Sequence, residues 1–211
     1  MEEPSKEERR EKSFFATVFI SASQKPSNWT FEYPTKATSY SGGGGKYIGG
    51  GGVGESSGYK YKDSSYIVSS THPNDTRMYF RYSVEDGAHG GFTIVSPDDQ
   101  WIYVTNSGYL KKTNKSTWCR IFKLFDASTH KELLYDDLKS LKEVEVIIRT
   151  YSGSLTIDDK KGTSVGAHHW NYIRAYNVLK SLGRDPKFTL KNIEFNLTPP
   201  PVRPSREDSY I

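Results

Sequence analysis

The sequence predicts a mainly β protein, an antiparallel β-sandwich of jelly-roll-like type with a projecting N-terminal helix and two covering helices, and three observations carry that expectation. Short runs rich in β-branched and aromatic residues recur along the chain, Pro, Gly, Asn and Asp punctuate them, and helical periodicity is confined to two internal stretches and the charged beginning. The 211 residues suffice for one good core. The expected layout is a charged helical arm over 1–13, a β domain over 14–197 and an extended tail over 198–211. Hydrophobic residues make up only 35% and the mean hydropathy is -0.69, yet 14% aromatics, with 15 Tyr, argue against a disordered chain.

Taken in order, Glu2 to Lys12 carries opposite charges at i,i+4 spacing and no apolar face, so its helix is expected to project instead of docking on the core. From Phe14 the pattern changes to FFATVFIS, a buried strand, followed by a turn at Pro26 to Asn28 and a second strand from Trp29 to Tyr33. The segment 42–54 is glycine at 42–45, 49–52 and 54, so it must be a loop, interrupted by Tyr47 and Ile48. Further strands are expected over 65–70, 77–83, 91–96, 100–105, 118–124 and 143–151. One helix is predicted over His130 to Leu141, capped by Ser128 or Thr129, with Leu134, Leu138 and Leu141 on one face. A second is predicted over Val165 to Leu182, with Trp170, Ile173 and Leu182 inward and a stop at Gly183 and Pro186. The last strand, 188–197, places Phe188 and Leu190 in one phase and Ile193, Phe195 and Leu197 in the other, which predicts a bulge near Lys191 and Asn192. The tail TPPPVRPSREDSYI has no core residues.

The net charge of +4 is spread along the chain, so no specific nucleic-acid partner is expected. Cys119 stands alone, which excludes an intramolecular disulfide and a cysteine zinc cluster. No apolar run approaches transmembrane length and the charged beginning does not read as a signal peptide, so no membrane is expected and the cytoplasm is the expected location. Without a secretory signal, the N-x-S/T sequons at Asn28, Asn74, Asn114 and Asn196 carry no weight. Gly49, Gly51 and Gly54 match GxGxxG but lack the surrounding βαβ unit, and His168 with His169 makes a poor metal pair. Asp98-Asp99, Asp136-Asp137 and Asp158-Asp159 read as solvated carboxylates in turns or on a lysine-rich helix face. No nucleophile context surrounds Cys119 and no G-x-S-x-G elbow exists. The expectation is therefore a protein that is not an enzyme, with no catalytic residue, metal or cofactor.

The charged arm, the strand ending in FTIVSP (92–97), the stretch SVGAHHWNYIRAYNVL (164–179) and the final FTLKNIEFNLTPPP (188–201) together resemble the cypovirus polyhedrins. That resemblance implies a structural protein that forms trimers, packs into intracellular crystals around virus particles in the cytoplasm of the infected cell, and dissolves at alkaline pH. It also implies nucleotide binding in some members, with no position here onto which those residues carry. Tyr ionises near ~10, so tyrosines in contacts between copies would become mutually repelling phenolates in alkali. The candidates for such contacts are Tyr47, Tyr59, Tyr61, Tyr66, Tyr79, Tyr82 and Tyr210. A second, local resemblance runs through NSGYLKKTNKSTWCRIF (106–122) and LLYDDL (133–138), which are similar to the actinoporin and fungal fruit-body lectin fold. It implies a glycan or membrane binder, with Ser107, Trp118 and Tyr135 as ligand contacts. Lys111, Lys112, Asn114 and Lys115 stand where that family has an aromatic cluster, and 2–12 lacks the apolar face that pore formation needs.

Overall fold

The computed structural model describes residues 5–21, 27–36, 59–70, 76–84, 90–115, 120–151, 153–165, 168–176 and 187–197. A short helix, α1 (Lys6–Lys12), precedes β1 (Phe14–Ile20), β2 (Asn28–Lys36), β3 (Tyr59–Ser70), β4 (Arg77–Ser83), β5 (Gly91–Val95), β6 (Trp101–Val104), β7 (Leu110–Thr113) and β8 (Lys123–Asp126). A single helical turn, α2 (Tyr135–Leu138), then leads to β9 (Glu143–Thr150), β10 (Gly153–Val165), β11 (His168–Tyr176) and β12 (Phe188–Phe195). The protein is mainly β, as expected, and its strands form one antiparallel sheet of 12 strands.

The sheet returns on itself. Followed from neighbour to neighbour, β10, β11, β3, β2, β1, β12 and β9 form a circuit that closes where β9 pairs β10. A second path, β3-β7-β6-β5-β4-β1, joins the circuit at β3 and β1. Both paths share β1 and β3 because each strand divides one edge between two partners. On β1, residues Phe14 to Thr17 pair β4 while Phe19 pairs β2. On β3, Tyr66 pairs β7 while Val68 to Ser70 pair β11.

One apolar core fills the enclosed side. Alternation along β1 turns Phe14, Ala16, Val18 and Ile20 inward, where they meet Phe80, Phe92, Leu124, Ile148, Ile173 and Phe188. Phe14 stacks on Phe80 at 4.8 Å and meets Phe92 edge-on at 5.1 Å. The bulge expected in the last strand is present: Phe15 pairs Glu194 and Thr17 pairs Lys191, so two residues of β12 oppose Ala16. Asn192 takes the left-handed conformation there, φ 54°, and the shift returns Ile193 and Phe195 to the core side.

Both internal helix expectations need correction. Within the predicted helix 165–182 the described residues are not helical, because β10 ends at Val165 and His168–Tyr176 is β11, paired along its length with β10. Its aromatic and β-branched residues alternate with period two, which buries Ile173 and Ala175 and leaves Tyr172 and Arg174 outward. The Trp170–Ile173 spacing only mimicked a helical face. Leu182, Gly183 and Pro186 lie outside the described residues. The helix expected over 130–141 is reduced to α2, because Lys131 and Leu133 bond back to Asp126 and Leu124 of β8. Ser128 and Thr129 do not cap it; both donate to the Asp126 carboxylate instead. The cap is the reverse contact, Leu134 N–H donating to Asp137 at 3.0 Å. The first helix does form, with no buried residue, and its end is tied to β4. Ser13 Oγ donates to the Arg9 carbonyl and accepts from Tyr82 N–H, while Lys12 lies over the Tyr82 ring at 5.0 Å. The glycine-rich loop 42–54 and the tail 198–211 lie outside the described residues.

Two carboxylates tie turns down, and both bind protons more weakly in the fold than free in water. The Thr129 amide, the Ser128 and Thr129 hydroxyls and the Ser128 amide hold Asp126 far below the usual carboxylate range. Burial pushes Asp98 up, but the Ser96 hydroxyl at 2.5 Å and the Lys112 ammonium at 2.9 Å outweigh it and leave a lowered value. A carboxylate with a depressed folded pKa stabilises the fold above its unfolded value, about 3.9, and loses that contribution as pH falls through the lower folded value. Asp126→Asn should therefore flatten the loss of stability below about pH 4 in urea melts recorded as a function of pH. An acid slope identical to that of the native chain would show that the four donors do not favour the ionised form.

Candidate functional site

The outer faces of β3, β7, β10 and β11 build a tyrosine-lined pocket. Because Ile67, Leu110 and Ile173 point into the core, their neighbours Tyr66, Tyr109 and Tyr172 point out. Strand pairing then brings the three rings together: Tyr66 opposes Lys111 on β7, Tyr109 bridges to Arg174 on β11, and Tyr172 opposes Asp158 on β10. Their centroids lie 5.6 to 6.4 Å apart and every pair meets edge to face. With Ser107 they line a pocket of about 330 Å³.

Polar groups sit behind and beside the rings. Tyr109 O–H donates to Asp158 Oδ2 at 2.5 Å, and Arg174 lies 3.9 Å from the same oxygen and 5.4 Å over the Tyr109 ring. Lys111 lies over the Tyr66 ring at 5.2 Å. Asp158 is therefore not the solvated turn residue expected from sequence: it stands in β10 with its side chain 9% exposed and fixes the orientation of a pocket tyrosine. Ser107 belongs to the turn between β6 and β7, where its hydroxyl lies 3.1 Å from that of Thr105. Such a wall offers apolar ring faces, phenol and serine hydroxyls and one anchored carboxylate. It can hold a small hydroxylated ligand by stacking and directed hydrogen bonds.

Of the residues singled out from sequence, Tyr66 and Ser107 come together in this pocket. Tyr135 does not join them; it stands on α2 with its ring against Phe195 at 5.4 Å. Of the expected surface contacts, one is buried and another is partly buried. Tyr79 is 3% exposed in a small cluster with Val95 and Trp101, and Tyr82 packs against the main core beside Phe92. Tyr59 and Tyr61 belong to β3, but their side chains, like Tyr47, Trp118, Cys119 and Tyr210, lie outside the described residues. Tyr109, Tyr172, Asp158 and Arg174 were missed. Among the described residues no group of three His, Cys, Asp or Glu side chains is placed to hold a metal, and no helix is long and apolar enough to cross a membrane.

The pocket rim depends on one glycine. Gly108 has φ +88°, its N–H donates to the Thr105 carbonyl at 2.8 Å, and its carbonyl accepts from Ala175 N–H at 2.8 Å. A Cβ there would stand 2.9 Å from the Ala175 carbonyl oxygen and 3.2 Å from Arg174 Nε. Gly108→Ala should cost about 1–2 kcal/mol from the left-handed backbone alone, read as a lower urea midpoint. An unchanged midpoint would mean that the turn does not approach β11 so closely.

No family model, no curated protein and no solved structure matches the chain.

Proposed function

We propose that this chain is a non-enzymatic binding protein whose tyrosine pocket takes a hydroxyl-rich ring, such as the end of a glycan. The observation that carries this reading is the convergence of Tyr66, Tyr109, Tyr172 and Ser107 on one small pocket, with Asp158 locking Tyr109. A sugar ring has apolar C–H faces for the phenols and hydroxyls for Ser107 and the Tyr109–Asp158 pair. A volume of about 330 Å³ lies at the low end of small-molecule sites, which suits one terminal ring better than a long ligand. The local resemblance to the fungal fruit-body lectin fold supports the same reading through Ser107. The expected jelly-roll-like sandwich fits a curled sheet whose opposite walls share one core. Glycan-array binding followed by calorimetry on the hits tests it: Tyr172→Ala should weaken binding at least tenfold, since it removes one wall, while Tyr135→Ala should leave it unchanged. Loss of binding in neither variant, or an array without hits, would reject the pocket.

The second reading is the structural one, a polyhedrin-like matrix protein that assembles into cytoplasmic crystals around virus particles. Its support is α1, a charged helix with no buried residue, together with the resemblance over the arm and last strand. Of the proposed contact tyrosines, Tyr79 is buried and Tyr82 partly buried, so alkaline release would rest chiefly on the others. Expression in insect cells should give intracellular crystals that lose turbidity near or above pH ~10, where phenols ionise. A soluble monomer at high concentration would exclude this reading and leave the binding one standing.

A further inference from the structure

A separate cavity of about 530 Å³ opens on the outer face of β8 and β9, lined by Arg120, Lys123, Phe125, Arg149 and Tyr151. The cations are scattered in the sequence and the sheet gathers them. Phe122, Leu124, Val146 and Ile148 turn into the core, so Lys123, Phe125 and Arg149 face outward. Lys123 and Arg149 are direct cross-strand partners. Lys123 also pairs with Glu132 at 3.0 Å.

Aromatic rings are interleaved with the cations. The Arg149 guanidinium lies 4.6 Å over Phe125, and that of Arg120 lies 5.2 Å over Tyr151. Stacking of this kind holds a guanidinium plane in place, and the N–H groups around that plane match the oxygens of a phosphate. Tyr151 itself is 75% exposed, a large phenol standing at the surface beside the cationic cavity. Cations that follow a phosphate chain, with an aromatic ring on which a base can stack, are the two components of sequence-tolerant single-strand binding. An acidic peptide would use the cations and leave the ring unused, and a stacked duplex would withhold its bases from Tyr151.

We propose that this cavity binds single-stranded nucleic acid without sequence preference, with phosphates on Arg120, Lys123 and Arg149 and a base on Tyr151. Fluorescence anisotropy of the full chain with labelled oligothymidylate and oligouridylate tests it, with heparin and polyglutamate as polyanions that carry no bases. Both oligonucleotides should bind, and the slope of log K against log salt should lie near about −2, as expected for three phosphates on a single strand. Tyr151→Ala should weaken binding about tenfold while Tyr151→Phe retains it, because stacking needs the ring and not the hydroxyl. Arg120→Gln should flatten the salt slope by about 0.7. Tyr172→Ala, in the tyrosine pocket, should change none of these readings. Absence of oligonucleotide binding would overturn the proposal. So would heparin or polyglutamate binding as tightly as the oligonucleotides, with Tyr151→Ala indistinguishable from the native chain.

Discussion

Everything in this fold depends on how β1 divides its edge. A strand has two edges and normally two neighbours, but β1 has three: β12 along one side, then β4 and β2 in succession along the other. The hand-over between Thr17 and Phe19 splits the sheet into two walls that diverge and later rejoin at β3. Such a fork needs extra local twist, and the bulge at Asn192 lies directly across from it, opposite Ala16. The inward residues of β1 then belong to both walls at once. Phe14 touches Phe80 and Phe92 of one wall and Phe195 of the other, so a single ring ties the two walls into one core.

The tyrosine pocket follows from the second fork. At β3 the strands β7 and β11 diverge from the same edge, and a gap between outward-facing strands must open where they part. The turn at 105–108 partly closes that gap by bonding to Ala175. Tyr66, Tyr109 and Tyr172 stand around what is left. The pocket is thus a consequence of sheet branching, held by main-chain bonds on two sides. Its walls are anchored by the core residues Ile67, Leu110 and Ile173 beneath them.

Strands that bury one full face were legible in the sequence, and strands with weak or polar faces were not. Phe14–Ile20, Arg77–Ser83 and Phe188–Phe195 read as strands because their apolar residues are dense, and the phase change in the last of them located its bulge. Leu110–Thr113 carries one core residue among lysines and threonine, and Gly153–Val165 carries Asp158 and two lysines, so neither pattern rose above its background. His168–Tyr176 failed for a different reason: Trp170 and Ile173 satisfy a helical spacing as well as an extended strand does, and pairing with β10 decided between them. The candidate site inherits these gaps. Ser107 and Tyr66 were found, whereas Tyr109, Tyr172 and Asp158 come from the segments whose strands were missed. The alternation of Tyr172 and Arg174 with the apolar Ile173 and Ala175 was the signal that could have found Tyr172 and Arg174.

Phenylalanine dominates the inner face of this sheet. The large rings wholly inside are Phe14, Phe80, Phe122 and Phe188, with Trp29, whereas Tyr66, Tyr109 and Tyr172 stand on the outer face where the phenol oxygen can meet a partner. Tyr82 is the exception that fits the rule: its ring joins the core margin beside Phe92, while Lys12 of α1 covers it from outside. Among the described tyrosines, Tyr66 and Tyr172 are half-buried on the outer face and Tyr151 is exposed, while Tyr79 and Tyr109 are buried. A phenol on a strand costs little side-chain entropy to immobilise, packs like an apolar ring and accepts or donates one directed bond. Lysines and arginines stack on these outward rings, Lys111 over Tyr66 and Arg174 over Tyr109. The arrangement arises from strand register: the alternation that buries Ile173 and Ile148 turns Tyr172 and Arg149 outward.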